Sequence, residues 1–206
     1  MLQLWCLSIL IVLMSATPSR SLITFVTGNA NKAREVQQIL GSRHQVIAHK
    51  LDLPELQGDP KSIAKAKCEE ASKYIAGPLM IEDTCLCFHA LGGLPGPYIK
   101  DFLDRCGHEG LNQMLDGFDD RSAYAQTTIA YRCGAQGQIH LVVGRTDGTI
   151  VRPRGGAAFG WDPIFQVGDR TYAEMTANEK NAISHRRKAL DALQVLLEEL
   201  EEDAAE

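Results

Sequence analysis

At 206 residues and 45% hydrophobic, the chain can bury one substantial core, which favours a single domain. Its net charge of −5 excludes a general nucleic-acid coat, which needs a broad basic surface, but a small polyanion stays open to it if Lys and Arg gather in one cleft. The six cysteines show neither a disulfide framework nor Cys/His zinc spacing, and buried free thiols in a reducing compartment are the simplest account of them.

Leu7 to Met14 is almost purely apolar and is followed by the small, polar Ser15-Ala16-Thr17-Pro18-Ser19. This resembles a signal peptide, yet no Lys or Arg precedes the apolar run and it is too short to span a bilayer easily. Residues 1–21 are read either as a targeting segment or as a dispensable extension or misassigned start, with the fold beginning near Leu22. Ile23–Val26 then reads as a strand and Lys32–Leu40 as a helix, joined by the turn Thr27-Gly28-Asn29-Ala30-Asn31. Val46–Leu51 reads as a strand, Asp52–Lys61 as turns, and Ser62–Ala76 as a helix stopped by Gly77-Pro78. Leu79–Ile81 is a buried strand running into Glu82-Asp83-Thr84 and then Cys85–Phe88. Gly92–Pro97 is a turn-rich loop, with short helices expected at Ile99–Arg105 and Glu109–Leu115. Ala123–Arg132 and Ile139–Gly144 alternate as antiparallel neighbours, with Thr149–Arg152 next and a Gly-rich loop over Arg154–Asp162. From Ser184 to about Glu201, Leu190, Leu193, Leu197 and Leu200 recur at helical spacing. The domain is expected over residues 22–200, with residues 201–206 as a solvated acidic tail. The fold class is α/β: a mixed, twisted sheet flanked by helices, in an elongated two-lobed subunit with a central cleft, and the two Gly/Pro loops at its mouth.

Four clusters carry chemistry. A strand, a Gly/Asn turn and a helix start aim backbone N–H groups and the positive end of a helix dipole at one point, an anion site to which Lys32 adds charge; the same turn also reads as a plain connection. Glu82-Asp83, taken as the end of an apolar strand, stands where α/β sheets bind ligands, and with Glu55 offers the hard oxygen ligands that Mg²⁺ takes beside substrate phosphates; a capping or salt-bridging pair is the other reading. Lys67, Lys100 and Lys180 each read alone as surface lysines, but with Lys32 they supply the charge that a triphosphate needs. Phe159-Gly160-Trp161-Asp162 and Ser184-His185-Arg186 offer an aromatic ring to stack on a base and charged groups to read its edge, against a core role for Phe159 and Trp161 and a structural one for His185. Phosphate-loop, dinucleotide, zinc-protease and nucleophile-elbow signatures are missing, which argues against kinase-like, dehydrogenase, zincin and serine hydrolase readings.

The segments Phe25–Lys32, Asp52-Leu53-Pro54-Glu55, Glu82–Phe88, Ala90–Lys100, Gly160–Pro163, Ala173-Glu174-Met175, Glu179-Lys180-Asn181 and Ser184-His185-Arg186 follow one another in a specific order. In them, from about Leu22 to about Leu197, the chain resembles the eukaryotic form of the inosine triphosphate pyrophosphatase family, house-cleaning enzymes that hydrolyse non-standard purine nucleoside triphosphates. Asn31 stands where that form often carries a second lysine, while Lys32 keeps the charge. The resemblance implies phosphate binding by Thr27, Gly28, Asn29, Ala30, Asn31 and Lys32, with Thr84 beside them. It implies Mg²⁺, with Mn²⁺ as a substitute, linked to Glu55 and Asp83, and Asp83 orienting or deprotonating the attacking water. Lys67, Lys100 and Lys180 neutralise the triphosphate, with Lys32, Lys67 and Asp83 forming the catalytic group. Phe159, Gly160, Trp161, Asp162, His185 and Arg186 hold the base and favour a 6-keto purine over adenine. It further implies ITP, dITP and XTP as substrates, monophosphate and pyrophosphate as products, a homodimer, no nucleic-acid partner, no membrane contact for the core domain and a cytoplasmic location. Two alternatives remain: a pyrophosphatase for other modified nucleotides, such as pyrimidines, and a secreted nucleotide-binding module without catalysis.

Overall fold

The structure, a computed structural model, describes residues 22–41, 43–156 and 159–203. The apolar segment 1–21 and residues 204–206 of the acidic tail lie outside the described residues. Strand β1 (Leu22–Val26) buries Ile23 and Phe25 on one face and Val26 on the other. Helix α1 (Ala30–Leu40) begins two residues before the expected Lys32, because the Asn29 side chain caps it by accepting from the Asn31 and Lys32 N–H groups. Strand β2 (Gln45–His49) is an edge strand. Helix α2 (Pro60–Ala71) starts earlier than expected, with Asp59 as cap and Pro60 in its first turn, and stops at Ala71 rather than Ala76.

The largest departure lies in strand β3. It runs unbroken over Leu79–Phe88, so Glu82 and Asp83 sit in its middle and not at its end. A two-residue strand β4 (Pro95–Gly96) and helix α3 (Ile99–Gln113) follow, with α3 broken where Gly107 takes φ 64°, as the two short expected helices require. Strand β5 (Ser122–Arg132) pairs along β6 (Ile139–Ile150), which joins the two strands expected at Ile139–Gly144 and Thr149–Arg152. Besides β4, which falls inside the expected loop, three further elements were not anticipated: β7 (Phe165–Val167), β8 (Arg170–Thr171) and helix α4 (Ala177–Ile183), the last opened by a capping box of Thr176 and Glu179. Helix α5 (His185–Asp203) closes the chain.

The described strands form one sheet in the order β2-β1-β3-β5-β6-β7-β8, with β4 on the β3 edge. Strands β2, β1 and β3 are parallel; the remaining pairings are antiparallel. At one end of the long strands α1 and α5 cover one face around Phe25, Met80 and Leu193, while α2 covers the other around Ile81 and Cys68. At the far end a separate core forms around Leu86, Phe88, Phe165 and Leu111. Two lobes therefore share the strands β3, β5 and β6. Helix α5 lies hard against β6: a Cβ at Gly144 would stand 2.1 Å from the His185 carbonyl oxygen, so only glycine lets the start of α5 approach so closely.

Candidate active site

Between the two lobes the β3 edge is bare. Pairing with β1 ends at Ile81, and pairing with β4 begins at Leu86. Glu82, Asp83, Thr84 and Cys85 occupy this gap, opposite the carboxyl end of β1 and the first turn of α1. The expectation of a strand end at Glu82-Asp83 is thus corrected: the parallel neighbour stops there, while β3 continues on its antiparallel partner β5. Side chains of a strand alternate between faces. Glu82 and Thr84 accordingly meet Arg186, while Asp83 meets Lys67.

On the Asp83 side, Lys67 Nζ stands 2.9 Å from Glu55 and 3.5 Å from Asp83. One cation so holds two carboxylates from a loop and a strand. Burial lowers the Lys67 pKa, but the Glu55 hydrogen bond and the Asp83 charge overcome this and raise it. The same hydrogen bond lowers that of Glu55. Burial raises Asp83 above the ordinary aspartate value, against the pull of Lys67 and Lys32, which makes it a stronger base. These groups line a cavity of about 720 Å³ together with Thr27, Gly28, Asn29, Ala30, Lys32, Thr84 and Lys100. Asn31 is not among its lining residues; its side chain accepts from Arg34 instead. The turn also differs from the expected set of open N–H donors. Asn29 N–H donates to Thr27 Oγ1, and the Asn31 and Lys32 N–H groups donate to Asn29 Oδ1.

Beside Thr84 and Arg186 a second cavity of about 310 Å³ is lined by Phe159, Gly160, Trp161, Asp162, Lys180, His185 and Arg186, with Ile99 and Leu103 of α3. Trp161 belongs to the far core, in edge contact with Phe165 at 5.5 Å, so it is both core residue and cavity wall. Phe159 is half-buried, with Lys180 Nζ 5.2 Å from its ring centre. Buried Lys180 bridges Asp162 at 2.7 Å and Glu35 at 3.0 Å. Burial raises Asp162 despite that lysine. His185 packs beside the rings of Trp161 and Tyr172, at 5.4 and 5.9 Å, the three forming one aromatic cluster, and neither of its ring nitrogens has a hydrogen-bond partner among the described residues. Burial, then the charges of Arg186 and Lys180, push it well below the ordinary histidine value, so the ring is neutral at pH 7 and carries one donor and one acceptor.

Arg186 is 1% exposed. Its Nε and Nη2 donate to the two oxygens of Glu82 at 2.7 and 2.8 Å, Nη1 donates to Glu35, and Nη2 also reaches Thr84. Four of its five N–H groups are therefore engaged within the protein. The expectation of a guanidinium free to read a base edge is revised: Arg186 lines the cavity chiefly as a buried, doubly paired cation. Burial alone would raise Glu82, but the charges of Arg186 and Lys32 hold it far below the usual carboxylate range. Glu35 and the Glu82 network were not legible in the sequence. Glu35 reads as one polar residue on α1, and its partner lies 151 positions away.

Asn29, Lys32, Thr84 and Lys100 line both cavities, which makes them one cleft. A mixed α/β sheet whose bare edge joins a lysine-and-carboxylate basin to an aromatic slot defines a protein built for a small aromatic polyanion. The chain belongs to the Ham1 family, matched over residues 23–196. It is 55% identical over 182 residues to an inosine triphosphate pyrophosphatase of Mycosarcoma maydis, covering 85% of this chain and 94% of that one. It is 56% identical over 172 residues to one of Emericella nidulans, covering 84% and 94%. A HAM1 protein from Coxiella burnetii has the same fold, with a TM-score of 0.77 at 29% identity over 87% of this chain and 99% of that one.

Proposed function

We propose that this cleft hydrolyses ITP, dITP and XTP to the monophosphate and pyrophosphate, and so cleanses the nucleotide pool. The observation that carries this reading is the continuity of the two cavities through Lys32, Thr84 and Lys100, which suits a base at one end and a triphosphate at the other. The names of the two fungal relatives agree with it. Lys32, Lys67 and Lys100 neutralise the phosphates, with Thr27, Gly28, Asn29 and Ala30 as the floor. Lys180 sits at the base end, on Asp162. Asp83 holds the attacking water and takes its proton at a carboxylate oxygen, a role that its raised pKa favours. No protein nucleophile is needed, because transfer at phosphorus depends mainly on positioning and charge.

Two carboxylates drawn to a single lysine fit a divalent cation, which needs hard oxygens from several segments. Glu55 and Asp83 are the residues that would hold Mg²⁺, or Mn²⁺ in its place. Bound there, the ion would supply positive charge to the phosphate oxygens and polarise the scissile bond. For the base, the neutral His185 ring, Lys180 and the remaining Nη1–H of Arg186 offer donors, while Asp162 accepts. A 6-keto oxygen satisfies such donors, whereas the adenine amino group faces them, at a cost of about 1–3 kcal/mol for each mismatched buried group. The domain spans residues 22–200 and works as a homodimer in the cytoplasm. The cysteines at 68, 85, 87, 106 and 133 are free thiols, which suits a reducing compartment.

A side-by-side panel of ITP, XTP, dUTP, methylated pyrimidine triphosphates and ATP, with and without a chelator, tests this. Divalent-dependent pyrophosphate release with ITP and XTP far ahead of the rest is expected. A preference for pyrimidines, or binding without turnover, would replace the reading.

A further inference from the structure

Glu82 lines the larger cavity on the bare edge of β3, in contact with Lys32 and Thr84, two of the residues through which that cavity meets the smaller one. Its carboxylate is compensated from two directions. Lys32 Nζ, from the stretch shared by the two cavities, stands 3.2 Å from Oε1, and the Arg186 guanidinium, from the base end, binds both oxygens at 2.7 and 2.8 Å. Thr84 Oγ1 completes the shell by donating to Oε1 at 2.7 Å. The Glu82 side chain is 1% exposed, so little water can take the place of either cation. Lys32, which sequence alone places on phosphates only, is therefore tied through one carboxylate to the wall of the base slot.

We infer that Glu82 is a positioning residue that couples the phosphate basin to the base slot, so that the grip of Lys32 on a triphosphate sets how firmly Arg186 and Thr84 are held against the base. The inference rests on the pyrophosphatase reading above. When a phosphate draws Lys32 away, the carboxylate is left to Arg186 and Thr84, and this tightens the wall on which base discrimination depends. Without the lysine, or without the carboxylate, filling one cavity no longer reaches the other. A purely structural role for Glu82 would change stability and leave base preference alone.

The test compares kcat/KM for ITP and ATP in the wild type, Lys32→Ala, Glu82→Gln and the double variant, with thermal melts of each. Lys32→Ala is expected to lower both values and also to narrow the ITP-to-ATP ratio at least fivefold. In the Glu82→Gln background, the same lysine change should lower both values equally and leave the ratio within twofold. Where Glu82→Gln fails to fold, Glu82→Asp serves in its place: the charge stays, but the shorter side chain cannot reach both cations, and the lysine effect on the ratio should shrink likewise. A selective wild type whose ratio Lys32→Ala leaves unchanged would overturn the coupling alone. So would an equal narrowing with and without the Glu82 change. A wild type that treats ITP and ATP alike would overturn the coupling and the pyrophosphatase reading together.

Discussion

Replacing Arg186 by alanine removes the cation that Glu82 and Glu35 share, and its first effect is on folding. The side chain is 1% exposed, and its Glu82 partner is equally enclosed. Breaking a buried pair by deleting one member costs about 3–5 kcal/mol, since the charge left behind is uncompensated. Here Glu82 keeps Lys32 and Glu35 keeps Lys180, which favours the lower part of that range, about 3–4 kcal/mol. A total stability of about 5–15 kcal/mol leaves most of the protein folded at 25 °C. At roughly 2–4 °C per kcal/mol for a chain of this size, the melting temperature should fall by about 6–16 °C. The pH dependence has a defined sign. In the wild type the Glu82 pKa is depressed, so its contribution is fully present above the ordinary glutamate value of 4.5 and is lost as pH falls towards its folded value. Arg186→Ala lacks most of that contribution, so its deficit should be largest near neutrality and shrink below pH 4.5. Calorimetric melts at pH 7.5 and pH 4, beside the double variant Glu82→Gln/Arg186→Met, measure this. The double variant should lose less than the single one at pH 7.5, because no charge is stranded at Glu82. A melting temperature within 2 °C of wild type for Arg186→Ala would refute the picture of a doubly paired, buried guanidinium.

Asp83→Asn should fold normally and lose activity on the order of a hundredfold or more; more than half of wild-type turnover at saturating Mg²⁺ would remove Asp83 from the chemistry. Deleting Met1 to Ser19 should leave a soluble, fully active enzyme, since β1 starts at Leu22; a truncated protein that aggregates or is inactive would make the segment part of the domain. Because His185 is buried neutral, the unfolded chain binds the extra proton below pH 6.5, and stability should fall by about 1.4 kcal/mol for each pH unit below that value, with no loss above it. Urea titrations of wild type and His185→Gln between pH 7.5 and 5.5 check this, and identical slopes for the two would show that the histidine protonates in place.

Parts of the first half of the fold were readable from local signals: Ile23 and Phe25 alternate, and Gly107 separates two amphipathic stretches, whereas the caps Asn29 and Asp59, which start α1 and α2 two residues early, were missed. Strand β3 was misread because three polar residues in a row, Glu82-Asp83-Thr84, look like the end of an apolar strand. Their tolerance mid-strand comes from a missing neighbour on one edge and from partners on α1, α2 and α5. The short α4 has a capping box in plain view but too few apolar positions to show a period. The lysines, Asp83 and the aromatic loop were found by chemistry and spacing, and they do line one cleft. What the residues could not reveal was the pairing among them. Arg186 meets Glu35 and Glu82 across 151 and 104 positions, so a side chain with donors to spare in the sequence has few in the fold.

If the cleft cuts ITP between its α and β phosphates, phosphorus-31 NMR of ITP incubated with the enzyme and Mg²⁺ will show IMP and pyrophosphate growing in equal amounts. No IDP or orthophosphate will appear, and excess EDTA will abolish the reaction. IDP with orthophosphate as the products would place the scissile bond at the γ phosphate and contradict the geometry assigned to Asp83, Glu55 and the lysines.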